Sequence, residues 1–299
     1  MPTTTPRQRR RPTISLLAAV LMSTIVAGGP TQADTRDEAA WMRAIFAPFE
    51  TLLEAHLIEQ PLQDGGLVSA FDYAGALADP TLPARLERQR QRLAAFDRTA
   101  LDTRERAVAF WINAYNYFMV DHILSTPARD GLVESVRDYG TLFNPYRVFR
   151  RAQFEVGGQR FSLDDIEKGI LLGAEFRERG WKDARVHFAV NCASVGCPPL
   201  RRGLYLPGQL DTMLAETTRH ALNTPRHLRI EGDTLYLSRV FDWYTQDYVE
   251  AAGSVEAFIA RHADDTVGAA LAQVQRSRRI PYDWRLNRPE NFPELAERP

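Results

Sequence analysis

The chain has 299 residues, of which 37 are basic, 38 acidic and 44% apolar. Its net charge of −1 becomes −5 (33 basic against 38 acidic) once the four arginines of an amino-terminal leader are set aside, and that balance argues against a nucleic-acid partner. The length suffices for one large domain or two tightly joined parts, and no repeat, low-complexity tract or long Gly/Ser linker divides it.

In chain order, Arg7, Arg9, Arg10 and Arg11 precede an apolar run over 14–26, and Ala33 supplies a small residue where a signal peptidase would cut. Residues 1–33 read as a secretory signal peptide, so the mature protein is expected in the periplasm or outside the cell. The apolar run is shorter than the roughly 18 residues of a membrane span, no later segment is long enough, and no span is expected in the mature chain. Trp41, Ile45, Phe49, Leu52, Leu53 and Leu57 recur at helical spacing over 36–58, and an arginine-coated helix follows over 81–96. Together they predict a helical extension over 34–100, with the run from Arg85 to Arg92 as a solvated face. Residues 103–125 form the strongest helix, with Asp102 or Thr103 as N-cap and an almost unbroken apolar stretch from Ala107 to Val120, a pattern that predicts burial on every side.

Beyond it, FEVGGQRFS (154–162) reads as a hairpin turning at Gly157-Gly158, and SLDDIEKGILLG as a helix opened by the capping pair Ser162 and Asp165. Residues 185–191 read as a buried strand. A helix over 207–222, a hairpin over 228–238 turning at Gly232-Asp233, an aromatic-rich segment over 240–249, two further helices and the terminal PYDWRLN complete the chain. Helices and hairpins without regular alternation predict an α+β fold: a single domain, core 101–290 and tail 291–299, whose buried central helix packs on a small, mostly antiparallel sheet containing 185–191. Such a helix across a histidine-bearing strand is similar, by analogy, to papain-like and transglutaminase-like architectures. Those enzymes place a nucleophilic cysteine at the start of the central helix, where this chain has WINAYN and no cysteine.

Both cysteines lie in RVHFAVNCASVGCPPL, residues 185–200. On a strand, His187, Ala189 and Asn191 would share one face, and Phe188, Val190 and Cys192 the other. Gly196, Pro198 and Pro199 then force a turn. In an oxidising compartment Cys192 and Cys197 across that turn read as a disulfide; alternatively Cys197 folds beside His187 as a nucleophilic thiolate. Metal capture by His187, Cys192 and Cys197 lacks both a recognised spacing and a fourth ligand, so no metal is expected. No phosphate-cradling glycine loop opens a helix, and no cofactor is expected.

Elsewhere, Asn113 and Asn116 sit i, i+3 on the most apolar helix, where unpartnered amides would cost about 1–3 kcal/mol each. They serve one locus, either by binding the backbone of a crossing loop or by holding a ligand. Among the carboxylates at the start of the 162–173 helix, Asp165 is a cap and Glu167 either orients His187 or makes a surface ion pair, the surface pair being the favoured reading. Phe241, Tyr244 and Tyr248 have the spacing of core residues, whereas Trp243 and Asp247 fall on another side, available to a cleft for a glycan or peptide. The remaining histidines read as surface or helix-end residues.

The ordered set FWINAYN, DDIEKGIL, RVHFAVNCASVGCPPL, FDWYTQDY and PYDWRLN, over roughly 66–287, resembles the family known as domain of unknown function 547, found in exported bacterial proteins and at the ends of some plant proteins. The resemblance implies Asn113, Asn116, Glu167, His187, Asn191, Cys192, Cys197, Trp243, Tyr244 and Asp247 as positions of interest. Two function classes remain open on these readings. One is an exported binding or envelope-assembly module with a disulfide-locked loop, its partner an envelope peptide, glycan or protein. The other is a thiol-dependent amide hydrolase or acyl-transfer enzyme, with Cys197 as nucleophile, His187 as base and Glu167 or an asparagine as orienter.

Overall fold

The computed structural model describes Met1, Thr3 and residues 32–128 and 131–296, so the signal segment expected over 1–33 lies almost wholly outside the described residues. Helix α1 (Gln32–His56) runs into a hairpin of β1 (Leu57–Pro61) and β2 (Leu67–Phe71), followed by α2 (Tyr73–Ala78), α3 (Leu82–Ala94) and α4 (Arg104–Ser125). A 3₁₀ turn (Val136–Tyr139) and α5 (Arg147–Arg150) lead to a second hairpin, β3 (Phe154–Val156) and β4 (Gln159–Phe161). A π-helical segment (Asp165–Leu171), α6 (Ala174–Glu178), a 3₁₀ turn (Ala184–Phe188) and α7 (Leu210–Leu222) come next. The chain then passes through β5 (Leu228–Glu231), β6 (Thr234–Ser238), α8 (Arg239–Trp243), α9 (Thr245–Ala252), α10 (Val255–His262), α11 (Asp265–Leu271), β7 (Arg276–Ile280) and α12 (Pro293–Ala296).

The sheets are small, of two, two and three strands. Gly157 and Gly158, at φ 59° and 74°, supply the two left-handed residues that a tight hairpin needs, and they set Phe154 opposite Phe161. The β5–β6 hairpin turns at Gly232-Asp233 as expected. The β1–β2 hairpin, inside the stretch expected to be purely helical, and β7, which adds parallel to β6, are strands the sequence pattern did not reveal. β7 is RSRRI, exposed at all but Ile280; its arginines blunt what would otherwise be an open sheet edge.

The core is built on α4. Thr103 caps it by accepting from the Arg106 backbone N–H, and every residue from Ala107 to Asp121 is buried. A helix apolar all round needs neighbours on all sides. Here they are Phe46 and Phe49 of α1, Leu86 and Leu93 of α3, Phe154 and Phe161 of the second hairpin, and Leu210 and Leu214 of α7. Residues 34–100 therefore join the same apolar cluster as α4, and the fold is a single α+β domain. Phe292 and Leu295, in the expected tail, pack with Val68, Ala70 and Val195.

Residues 185–191 are not a strand, so α4 does not lie on a sheet that carries His187. Asp183 caps a 3₁₀ turn by accepting from the Arg185 N–H, and Val186 then accepts from the N–H groups of Ala189 and Val190. Val186 through Val190 are buried throughout, and a continuously buried run of that kind has no periodicity to separate a buried turn from a buried strand. With the strand goes the element that carried the papain-like analogy.

One histidine also departs from its surface reading. His227 is 1% exposed, with neither ring nitrogen hydrogen-bonded, and burial, followed by the nearby Arg226 charge, lowers its pKa to about 3. The unfolded chain, near 6.5, takes up that proton first, so its stabilising effect is whole above about pH 6.5 and is lost as pH falls towards about 3. Between pH 6.5 and 4.5 the loss from this residue is about 2 kcal/mol. Denaturant titrations across this interval should show His227→Leu losing less stability than wild type by about that amount; parallel curves would contradict the assignment.

Candidate functional site

Four asparagines make the frame of the site. Asn113 donates to the Tyr205 carbonyl at 2.8 Å and accepts from the Tyr205 N–H at 2.9 Å. One turn along α4, Asn116 donates to the Ala189 carbonyl at 2.9 Å and accepts from the Asn191 N–H at 2.8 Å. Of the two explanations for amides in this helix, the bracketing of a crossing backbone is the one the geometry displays. Asn191 reaches across the cysteine loop to the Pro198 carbonyl at 2.7 Å, and its Oδ1 accepts from the Ala193 N–H at 2.8 Å and from Asn287 at 3.2 Å. The bond to Ala193 closes a turn in which Ala193 takes φ 57°, a left-handed conformation that costs a non-glycine residue about 1–2 kcal/mol.

Cys192 and Cys197 form a disulfide with Cα atoms 6.1 Å apart. The Cys192 N–H donates to Cys197 Sγ at 2.8 Å, and Cys192 Sγ lies 3.1 Å from both the Ser194 and the Tyr282 hydroxyls. The terminal PYDWRLN lies against this loop: Val195 and Gly196 donate to the carbonyls of Arg285 and Asp283. A Cβ on Gly196 would come within 3.0 Å of the Asp283 nitrogen, so glycine permits the approach.

His187 is 3% exposed on the 3₁₀ turn. Its Nε2 lies 2.8 Å from Asp247 Oδ2, its ring stacks on Tyr244 at 3.8 Å between centroids, and Tyr248 meets it edge-on at 5.6 Å. Asp247 is held in turn by Lys182 Nζ at 2.6 Å, and Lys182 also meets Glu250. Burial raises the Asp247 pKa, but hydrogen bonds and charge from His187 and Lys182 outweigh it and bring the carboxyl down to about 2. An ionised Asp247 makes Nε2 the donor, and in the neutral imidazole Nδ1 then keeps its lone pair. Nδ1 is buried, has no hydrogen-bond partner and lies 3.9 Å from Glu167 Oε1.

Glu167 is 6% exposed, which overturns the surface ion pair favoured for it. Ser162 and Asp165 form the expected reciprocal cap, but the helix they open is π-helical, with the Leu172 N–H reaching back five residues to the Glu167 carbonyl. Glu167 is thereby set in the cleft wall. Burial, then the charge and hydrogen bond of Glu167, push the Tyr244 phenol far above its ordinary range.

These groups line one cleft of about 320 Å³ that holds His187, Glu167, Cys192, Cys197, Trp243 and Tyr244. Asn113, Asn116, Asn191 and Asp247 do not line it: Asp247 and Asn191 reach it through His187 and Pro198, and the amides of α4 hold the main chain at Tyr205 and at Ala189 and Asn191. Tyr115, Tyr146, Tyr282 and Trp284 also line it; Tyr115 falls within FWINAYN and Tyr282 and Trp284 within PYDWRLN, yet none of them was expected as a site residue. Tyr282 and Trp284 meet at 4.5 Å with their rings tilted by 51°, and they meet Trp243 at 4.8 and 5.7 Å, a cluster hinted at only by the aromatic pair in PYDW. Among the described residues, no group of three or more His, Cys, Asp or Glu is placed to hold a metal ion.

Asn116→Ala would leave a buried carbonyl and a buried N–H unpaired, each costing about 1–3 kcal/mol. Chemical denaturation should show a loss of at least about 2 kcal/mol; a change within about 0.5 kcal/mol, the range of ordinary surface substitutions, would show that the bracket does not hold the loop.

No curated protein and no solved structure matches this chain. Trp243, Tyr244, Asp247, Tyr282 and Trp284 lie beyond the part of the chain that a family model covers, whereas the asparagines of α4, Glu167, His187 and the cysteine loop lie within it. Over residues 99–220 the chain resembles, by match to that model, the family described as Protein of unknown function, DUF547.

Proposed function

We propose that the protein is an exported ligand-binding module whose ligand seats beside His187, against a wall locked by the Cys192–Cys197 disulfide. The observation that carries this reading is the unpartnered Nδ1 of His187 facing Glu167 at 3.9 Å in a cleft walled by aromatic rings. With the imidazole neutral, Nδ1 and the Glu167 carboxylate are two acceptors with no hydrogen between them, and a buried ring nitrogen left unsatisfied costs about 1–3 kcal/mol. A ligand nitrogen with two hydrogens, an amine or a primary amide, can donate to both. Trp243, 42% exposed, and Trp284 offer flat apolar surface to the body of such a ligand. The cleft volume sits at the small end of the range for ligand pockets, about 300–1,000 Å³, and suits one residue of an envelope peptide or amino-sugar glycan. Export rests on the leader at 1–33.

The thiol-enzyme reading has one observation in its favour: Cys197 lines the same cleft as His187, a ring oriented by a carboxylate as a general base would be. The bridge occupies both sulfurs, so that chemistry would require its prior reduction.

Binding is read from the emission of Trp243 and Trp284 during titration with short peptides carrying free or acetylated amino termini and with amino-sugar oligosaccharides. Members with a free amine or primary amide should bind, and His187→Ala and Glu167→Gln should each weaken them at least about tenfold, the effect of losing one hydrogen bond of about 1.4 kcal/mol. Unchanged affinity in both variants would refute the bridging site. Thiol titration of the unreduced, denatured protein should find no free sulfhydryl, and amide hydrolysis that appears only after reduction would shift the reading to the enzyme.

A further inference from the structure

The turn between the 3₁₀ turn Val136–Tyr139 and α5 carries Leu142 at 91% and Phe143 at 95% exposure, the most exposed large apolar side chains of the described residues after Met1. Such side chains are informative when they are adjacent and fully bared. The turn holds them out. Thr141 and Asn144 exchange both backbone hydrogen bonds at 3.1 Å, and a Cβ on Gly140 would come within 2.4 Å of the Asn144 carbonyl oxygen, so the base of the turn closes only with glycine there. Ser135 and Asp138 cap the preceding turn reciprocally, and Val148 and Phe149 anchor the following helix in the protein. A rigid base thus presents an apolar tip.

The flanks are basic. Arg137, Arg147, Arg150 and Arg151 are all exposed. Arg147 and Arg151 have no carboxylate within ion-pair distance among the described residues, and Arg150 has only Asp164 at 3.9 Å, which Lys168 shares at 2.8 Å. The acidic residue nearest in sequence, Asp138, is committed to its cap. In a chain of net charge −1 this is a local positive collar around an apolar point. Tyr146 and Trp284, with ring centroids 5.3 Å apart, add amphipathic rings beside it.

We propose that the Leu142–Phe143 turn is a wedge that docks the protein on an anionic phospholipid bilayer. Two side chains fall far short of the roughly 1,200 Å² that a specific protein interface buries, so a protein partner or a second copy is the poorer occupant. A bilayer accepts a small apolar insertion and adds attraction to each flanking arginine at a negatively charged surface, with tyrosine and tryptophan suited to headgroup depth. This does not depend on what the cleft binds. It does place the cleft mouth at the bilayer surface, because Tyr146, Phe149 and Arg150 of the same segment line the cleft.

Flotation of the purified full chain with phosphatidylcholine vesicles, with and without phosphatidylglycerol, tests it. Wild type should float with the phosphatidylglycerol vesicles at low salt and be released by high salt. The double variant Leu142→Asp/Phe143→Asp should bind at least about tenfold more weakly, and Arg147→Gln/Arg151→Gln several-fold more weakly, with melting unchanged because all four side chains are exposed. In Phe143→Trp, emission at residue 143 should shift to the blue on vesicle addition and be quenched by brominated lipid. Failure of wild type to float, equal flotation of the double aspartate variant, or loss of a wild-type dimer in that variant in place of lipid binding would overturn the proposal.

Discussion

Two primary amides buried in an apolar helix must find partners, and the way Asn113 and Asn116 find theirs organises the molecule. Each faces a passing segment of main chain and exchanges both a donor and an acceptor with it, as a neighbouring strand would. The i, i+3 spacing on α4 sets the two crossing points one turn apart. Tyr205 is fixed at one and residues 189–191 at the other, so the segment between them, which contains the cysteine loop, is pinned at both ends by the same helix. Asn191 then spans the loop from within, and Asn287 ties it to the chain terminus.

What the frame positions is an imidazole with one nitrogen committed and one open. The commitment comes from far along the chain: Asp247 on α9, drawn below its ordinary range by His187 and Lys182, accepts from Nε2. Arg104 at the start of α4 and Arg185 both clasp Asp183, whose carboxylate also caps the 3₁₀ turn, so the turn that carries His187 is tied to the helix that brackets the residues after it. Burial would raise the Asp183 pKa, yet the two arginines hold it below its usual value. The disulfide closes the loop wall, and Glu167 supplies a carboxylate 3.9 Å from Nδ1. Each of these groups is restrained by more than one contact, the condition under which a binding site is preorganised.

Much of the fold was legible because local chemistry dictates it. Gly157-Gly158 and Gly232-Asp233 turned where such pairs turn, Thr103 capped the long helix, and the unbroken apolar run from Ala107 foretold its burial. Cys192 and Cys197 do meet across a turn, but the left-handed residue in it is Ala193, held by Asn191, rather than the glycine the sequence offered. Where the outcome depended on distant partners, the pattern was silent or misleading. Residues 186–190 are buried whichever way they fold, and the 3₁₀ turn is the one capped by Asp183, which Arg104 and Arg185 also clasp. Glu167 looked like one more acid at a helix start, because nothing local reveals the π-helical turn in which it sits. RSRRI has no apolar alternation and becomes a strand only through pairing with β6. Asp247 stood out as a cleft candidate, but its bond to a ring 60 positions earlier is a property of the fold.

The openness of His187 Nδ1 can be read directly by nitrogen-15 NMR of the histidine rings at mildly alkaline pH, with His187→Gln identifying the signal. The geometry requires a single slowly exchanging tautomer, protonated at Nε2 against Asp247 and bare at Nδ1. A ring protonated at Nδ1, or one averaging rapidly between the two tautomers, would mean that Asp247 does not fix the imidazole and that the cleft has no open acceptor beside Glu167.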